Sequence, residues 1–343
     1  MEQDPVRWGM IGCGDVAEVK SGPAFAKARG SALVAVMRRD RSKAEDFARR
    51  HGIPRVHSTA EELIADPDVD AIYIATPPDS HCDLACRAAA ARKPCLVEKP
   101  MARSYRECVR MLQAFETAAV PLWVAFYRRA LPRFLMIRDW LRAGTLGRIT
   151  SVSVDVREPL ATGDAARAWR FNPAIAGAGL FFDKGSHCID ILDFLIGPVE
   201  YAHGIAVNSG GTYAVEDVTV ATLRVQGPVL ATGTWNFNAD ETSDRLILTT
   251  ENGTIRASLF TDSDVVVWAK DRETVHEIRN PPHVHQPLIQ TIVDELHGLG
   301  RCESTGESGA RASRVLDACL GREPGEIDSR TPAARPLSSH PSA

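Results

Sequence analysis

The feature that most constrains this chain lies near its start. Val6 to Ile11 is an apolar run of strand length, and Gly12-Cys13-Gly14-Asp15-Val16-Ala17 follows it directly, opening a helical stretch from Asp15 to Arg29. In a G-x-G-x-x-[GA] turn the first glycine makes the tight bend, and the second lets backbone amides approach a pyrophosphate. The small third residue lets helix and strand pack closely. The helix N-terminus adds favourable potential for phosphate charge. Gly12, Gly14, Asp15 and Val16 are therefore candidate dinucleotide contacts.

The next hundred residues repeat the same grammar. Ala32–Met37, Ala71–Ala75, Cys95–Glu98 and Leu122–Phe126 read as strands, with Asp79–Arg92 helical among them. Ser42-Lys43-Ala44-Glu45, Ser58-Thr59-Ala60-Glu61 and Ser104-Tyr105-Arg106-Glu107 have the form of capping boxes that open further helices. The first of these helices closes at Gly52. Strands alternating with helices imply parallel pairing through right-handed crossovers, hence a doubly wound sheet.

After a helical stretch at Leu131–Ala143 the pattern changes. Ile149–Val156, Val218–Val225, Val229–Asn236, Leu246–Thr250, Thr254–Ser258 and Val265–Trp268 follow one another, with Glu251-Asn252-Gly253 as a hairpin turn. Strand upon strand implies a large, mostly antiparallel sheet. Pro287–Leu299 and Gly309–Leu320 read as helices that pack back onto the body. The expected division is a dinucleotide-binding domain over 1–126, a substrate and oligomerisation domain over 127–320, and a flexible Pro/Ser/Arg-rich tail over 321–343.

Composition narrows the function classes. At 343 residues, 44% hydrophobic and 24% charged, the chain suits a two-domain globular protein. A net charge of -4 with scattered arginines gives no footprint for nucleic acid. No run approaches the roughly 20 apolar residues of a membrane span. The acidic N-terminus lacks the order of a signal peptide, so a cytoplasmic location is expected. None of the eight cysteines forms a Cys-x-x-Cys pair, and no metal site is expected; they read as reduced thiols.

The end of the second strand addresses cofactor choice. An acid there holds a ribose 2′-hydroxyl, whereas arginine accommodates a 2′-phosphate. This chain reads Val36-Met37-Arg38-Arg39, and Asp40 follows too late to be the obvious ribose ligand. NADP(H) is the expected preference, with NAD(H) as the alternative.

Several further segments now join these. They are Ala75-Thr76-Pro77-Pro78 with His81, Glu98-Lys99-Pro100, Trp169-Arg170, Gly177-Ala178-Gly179, and Asp183-Lys184-Gly185-Ser186-His187 with Asp190. Together with the glycine turn they resemble the glucose–fructose oxidoreductase/inositol dehydrogenase/rhizopine catabolism (Gfo/Idh/MocA) family, over nearly the whole chain to about Leu320. Ala178, where many members carry glycine, is a mild departure. The resemblance implies a Rossmann-like domain followed by an α/β domain with a large open sheet. It also implies Lys99, Asp183 and His187 around the nicotinamide and a substrate carbinol, and a cis Lys99-Pro100 bond.

Those residue types suit the chemistry. Moving a hydride off a carbinol carbon requires the hydroxyl proton to leave at about the same time, and histidine is a suitable base. Lys99 would hydrogen-bond the reacting oxygen and stabilise alkoxide character. Asp183, four residues before His187, could orient the substrate hydroxyls or the imidazole. Ala75, Thr76, Pro77, His81, Glu98, Lys99, Arg128, Trp169 and Arg170 complete the candidate cofactor contacts; His81 could equally cap its helix. Tyr127, Arg128 and Arg129 either line the cleft or form ion pairs across the domains, and Asp155 and Arg157 either reach substrate or lie on the surface. The implied activity is that of an oxidoreductase acting on a sugar, polyol or related compound. The alternatives are a nucleotide-binding regulator without catalysis and a glycoside hydrolase that retains its nicotinamide. A homodimer or homotetramer is expected.

Overall fold

The computed structural model describes residues 4–323. The greater part of the tail expected to be flexible, from 324 on, lies outside the described residues. The first half runs β1 (Val6–Ile11), α1 (Gly22–Lys27), β2 (Ser31–Met37), α2 (Arg41–His51), β3 (Arg55–His57), α3 (Ala60–Ala65), β4 (Ala71–Ile74), α4 (His81–Ala90), β5 (Cys95–Val97), α5 (Tyr105–Ala118) and β6 (Leu122–Val124). Its six strands are all parallel, in the order β3-β2-β1-β4-β5-β6. Every residue of β4 and β5 is buried, as strands covered by helices on both faces must be. The order reverses between β1 and β4. A crevice opens at such a switch point, beyond the carboxyl ends of the strands.

The second half runs α6 (Pro132–Ala143), β7 (Ile149–Arg157), α7 (Pro173–Ala176), α8 (Ser186–Leu195), β8 (Val199–Val207), β9 (Val218–Val225), β10 (Leu230–Asn236), β11 (Ser243–Thr250), β12 (Gly253–Ala257), β13 (Val265–Ala269), β14 (Arg272–His276), α9 (Gln286–Leu296) and α10 (Gly306–Cys319). Eight strands form one sheet in the order β14-β13-β12-β11-β7-β10-β9-β8. Only β7 and β10 pair in parallel; the other neighbours are antiparallel. Burial alternates strictly along β9, so this sheet has one packed face and one open face. On the packed face the Trp235 ring meets Phe181 at 4.7 Å between centroids, and its Nε1 donates to Cys188 Sγ at 3.4 Å. A Cβ on Gly233 would lie 2.2 Å from that indole, so only glycine lets the ring fold across its own strand.

The last two helices return to the first sheet, as their sequence suggested. Arg29 N donates to Gln290 Oε1 at 2.8 Å, Trp123 Nε1 donates to Glu295 Oε2 at 3.2 Å, and Trp123 bridges Thr305.

Three local expectations are corrected. The cap of α2 is Asp40, whose side chain accepts from Lys43 N at 3.3 Å, rather than Ser42. The cap of α3 is Thr59, paired with Glu62, one residue beyond the expected box. The first helix ends at Lys27 and widens into a π turn over Ala17–Ser21. Pro23 explains this: it lacks an N–H, and its ring would strike the carbonyl one α-turn earlier. At α5 the expected cap holds, with Ser104 accepting from Glu107 N. Strands β3, β8 and β14 have no counterpart in the sequence reading.

Candidate active site

The nucleotide end is built by backbone geometry. Gly12 has φ +97°, and a Cβ there would meet the Ala75 carbonyl carbon at 2.8 Å, where β1 and β4 diverge. Gly12 is therefore required by the fold. Gly14 is different: a Cβ there would meet nothing within 4 Å. No internal packing explains that glycine, and the space beside it leaves room for a phosphate against the backbone. Ala17 is fully buried, as close helix–strand packing demands.

Beside this turn is a cleft of about 440 Å³ lined by Cys13, Gly14, Asp15, Glu18, Arg38, Lys43, Asp46, Phe47 and Arg50. Arg38 Nη1 donates to Cys13 O at 2.9 Å, which anchors the guanidinium and, among the described residues, leaves its other donors without a protein partner. Arg50 is held by Glu18 and Asp46. Asp40 is occupied as the α2 cap and accepts from Ser42 Oγ at 2.8 Å. Arg39 is exposed and lies outside the cleft lining. Val16 is half-buried in the first helical turn.

The middle of the crevice is a chain of carbonyls and rings. Ala75 N donates to Ile11 O at 2.8 Å, and Thr76 Oγ1 accepts from Ser80 Oγ at 2.7 Å above Pro77. His81 is fully buried, with Nε2 2.7 Å from Thr76 O and Nδ1 3.1 Å from Pro100 O. Both ring nitrogens thus face backbone carbonyls, and the ring staples the Thr76 loop to the Lys99-Pro100 turn. Burial pushes its pKa down even though those carbonyls favour a protonated ring. Lys99-Pro100 is cis. Glu98 is buried; its Oε1 accepts from Tyr73 Oη at 2.5 Å and its Oε2 accepts from Lys99 N at 3.2 Å.

Lys99 reaches across to the second half. Its Nζ donates to Asp183 Oδ1 at 2.5 Å and Asp183 O at 3.2 Å. Arg170 Nε lies 3.4 Å from Asp183 Oδ2, and its guanidinium stacks 4.5 Å over the Trp169 ring. Burial alone would raise the Asp183 carboxyl, but Lys99, Arg170 and Lys184 outweigh it and hold the pKa below the ordinary value.

Asp183 sits in a π turn, Phe181–Gly185, that leads into α8 and therefore departs from the plain helical turn expected. A Cβ on Gly185 would strike the Phe181 ring at 2.6 Å, so glycine permits the close coil. The structure corrects one alternative: Asp183 accepts from Lys99 and forms an ion pair with Arg170, and it does not hold the imidazole. His187 is 4% exposed among Phe126, Tyr127 and Phe260, and its Nδ1 is sealed without a hydrogen-bond partner. Burial first, then the charges of Arg128 and Lys99, push its pKa well below the ordinary value.

Arg128 donates Nε to Leu259 O at 2.6 Å and lies between the Tyr127 and Phe260 rings; its Nη1 is buried without a partner. Arg129 instead bonds Asp190 and Asp193. Asp155 and Arg157 pair with each other at 2.9 Å and with Arg245 and Glu241.

Sequence reading missed His285, Tyr73 and the Lys184–Glu158 pair. His285 precedes α9, is 2% exposed and lies 4.6 Å from the Tyr127 ring. Lys184 Nζ donates to Glu158 below the rings of Phe237 and Phe260. Their partners lie 25 or more residues away in sequence, and no local spacing signals such meetings.

The unfilled space at Gly14 and the donors of Arg38 fit a bound dinucleotide. A parallel sheet carrying that turn, abutted by a second sheet domain that lends an acid and a histidine, defines a nicotinamide-dependent oxidoreductase acting on CH–OH groups. The chain belongs to the Gfo/Idh/MocA family: residues 6–126 match its oxidoreductase domain with the NAD-binding Rossmann fold, and residues 134–256 match its C-terminal domain. It is 37% identical over 319 residues to Oxidoreductase P35 of Formosa agariphila, covering 92% of this chain and 98% of that one. It is 27% identical over 333 residues to 1,5-anhydro-D-fructose reductase of Ensifer adhaerens, covering 94% and 98%. The fold is shared with a levoglucosan dehydrogenase solved with NADH and levoglucosan, at TM-score 0.84 and 22% identity, over 93% of this chain and 97% of that one. Among the described residues no helix is long and apolar enough to cross a membrane.

Proposed function

We propose that the chain is an NADP(H)-dependent dehydrogenase or reductase of sugar-like or polyol carbinols, with Lys99, Asp183 and His187 as its catalytic residues. The single observation that carries this reading is the Lys99–Asp183 pair held across the two halves beside a buried, unpartnered histidine. The nicotinamide, when bound, accepts or returns a hydride.

The protein's own groups handle the proton and the charge. His187 is neutral at working pH, the form that can take a hydroxyl proton. Asp183 fixes Lys99 by two hydrogen bonds, so the ammonium is preorganised toward a developing alkoxide. Arg170, Trp169, Lys184 and Glu158 give the mouth a polar, ring-lined character suited to several hydroxyls. The related 1,5-anhydro-D-fructose reductase and the levoglucosan dehydrogenase act on such compounds by their names.

Arg38 supports NADP(H), because the nearby Asp40 is spent on capping α2. The open face of the large sheet exposes Tyr201, Ile205, Val220 and Leu230, the last two at 49% and 60%, and a second copy of the chain would cover it. Light scattering should give at least twice the chain mass.

The test is fluorescence titration with NADPH and NADH, followed by turnover on a panel of sugars, polyols and ketones. The reading expects tighter NADPH binding and turnover that is lost in Lys99→Ala and His187→Ala. Tight binding with no turnover on any compound would contradict it.

A further inference from the structure

His285 is a second imidazole in the same cleft, and the proton-transfer scheme above does not use it. Its ring is 2% exposed, yet among the described residues neither nitrogen has a hydrogen-bond partner. Sealing polar atoms away without partners costs stability. A bound ligand can partner only the nitrogen that the protein leaves unsealed.

Geometry says which nitrogen is available. Nδ1 is sealed from solvent and lies 3.7 Å from Glu98 Oε1. Glu98 already accepts from Tyr73 Oη and Lys99 N, so it acts toward its surroundings as an acceptor. A neutral imidazole carries one N–H; the Glu98 oxygen 3.7 Å from Nδ1 is beyond hydrogen-bond reach, yet its negative potential favours the N–H on that side. Nε2 then bears a lone pair, and it is the nitrogen that is not sealed. Burial and the charges of Lys20, Arg128 and Lys99 push the His285 pKa to about 3, so the Glu98 contact is dipolar and not an ion pair. The Tyr127 ring lies 4.6 Å from His285 and 5.6 Å from His187, so both imidazoles pack against one aromatic ring.

We infer that His285 is a ligand-binding residue of the active site, accepting through Nε2 a hydrogen bond from an N–H or O–H of the bound ligand. The inference rests on the oxidoreductase reading. The donor is either the carboxamide of the nicotinamide or a substrate hydroxyl, and the two sources separate by experiment.

Three variants decide it. His285→Phe keeps a ring on Tyr127 and removes both nitrogens. His285→Gln places a polar group near Nε2, and His285→Asn places one near Nδ1. NADPH affinity is read by fluorescence, and kcat and KM are read on the best polyol found for the native protein. Loss of one such hydrogen bond corresponds to about tenfold. A rise of that size in the NADPH Kd of His285→Phe assigns the carboxamide; an unchanged Kd with a raised KM assigns the hydroxyl. Gln should restore most of the loss and Asn little. If Phe fails to fold, the Gln–Asn contrast carries the test alone. Unchanged Kd and KM in His285→Phe would overturn the inference, as would rescue by Asn and not Gln, which would confine the ring to supporting Glu98. Failure of the native protein to bind either nucleotide would instead remove the functional reading, and the inference with it.

Discussion

Two charged clusters flank the same helix, and they are finished differently. At the far end of α8, Arg129 bonds Asp190 at 2.9 Å, Asp193 at 2.9 Å and Glu303 O at 3.1 Å, while Arg311 takes the other oxygen of Asp193 at 2.8 Å. Only Asp190 Oδ2 is left over, and burial pushes that carboxyl up to about 6. At the near end, Lys99, Asp183 and Arg170 are paired, but His187 and His285 keep orphan nitrogens. The first cluster joins helices and has almost no bonding capacity to spare. The second leaves polar atoms unpartnered beside its charged pair. Buried charge is common to both, so burial alone does not mark an active site.

The contrast can be broken or sharpened by substitution. Lys99→Ala should lower kcat about 10²- to 10⁴-fold while leaving nucleotide affinity near native, because its effect belongs to the transition state. Asp193→Ala should do the reverse: urea unfolding should show a loss of about 3–5 kcal/mol, because Arg311 loses its carboxylate and buried Arg129 loses one of its two, with kcat of the folded fraction unchanged. If Asp193→Ala abolished turnover without loss of stability, the division between the clusters would fail. Arg38→Ala should raise the NADPH Kd by about 10- to 100-fold, the worth of a charge-assisted hydrogen bond, and hardly change that for NADH.

The histidines predict a pH dependence of stability. Folded His187 and His285 resist protonation, His285 down to about 3, while the unfolded chain takes up protons near 6.5. Stability should therefore be fully present above pH 6.5 and fall as pH drops toward 3, by up to about 1.4 kcal/mol per pH unit for each ring. Unfolding titrations of His285→Gln should show a shallower decline. The smallest effect concerns the glycines. Gly14→Ala should alter stability by under about 0.5 kcal/mol yet weaken nucleotide binding, whereas Gly12→Ala should destabilise, since it strains φ and meets Ala75.

What the sequence disclosed follows the range of the forces involved. The glycine turn, the strands that became β1, β2, β4, β5 and β6 with helices between them, and the change to hairpins are local patterns, and all are present in the structure. Lys99, Asp183 and His187 were named through the family resemblance, and the structure brings Lys99 against Asp183. Local chemistry still misled where two rules competed: Asp40 outbid Ser42 as the α2 cap, and Pro23 widened the first helix. β3 is only three residues long and half-buried, and β14 is mostly exposed, so neither carries the hydrophobic alternation that betrays a strand. His285 was invisible because its neighbours Glu98 and Tyr127 are more than a hundred residues away in sequence.

The most direct measurement of the central claim is the rapid appearance of reduced nicotinamide when enzyme preloaded with NADP⁺ is mixed with a polyol that the native protein turns over. The account predicts a fast phase in the native protein that disappears in Lys99→Ala and His187→Ala, although both variants still bind the nucleotide. A fast phase of native rate in either variant would contradict it.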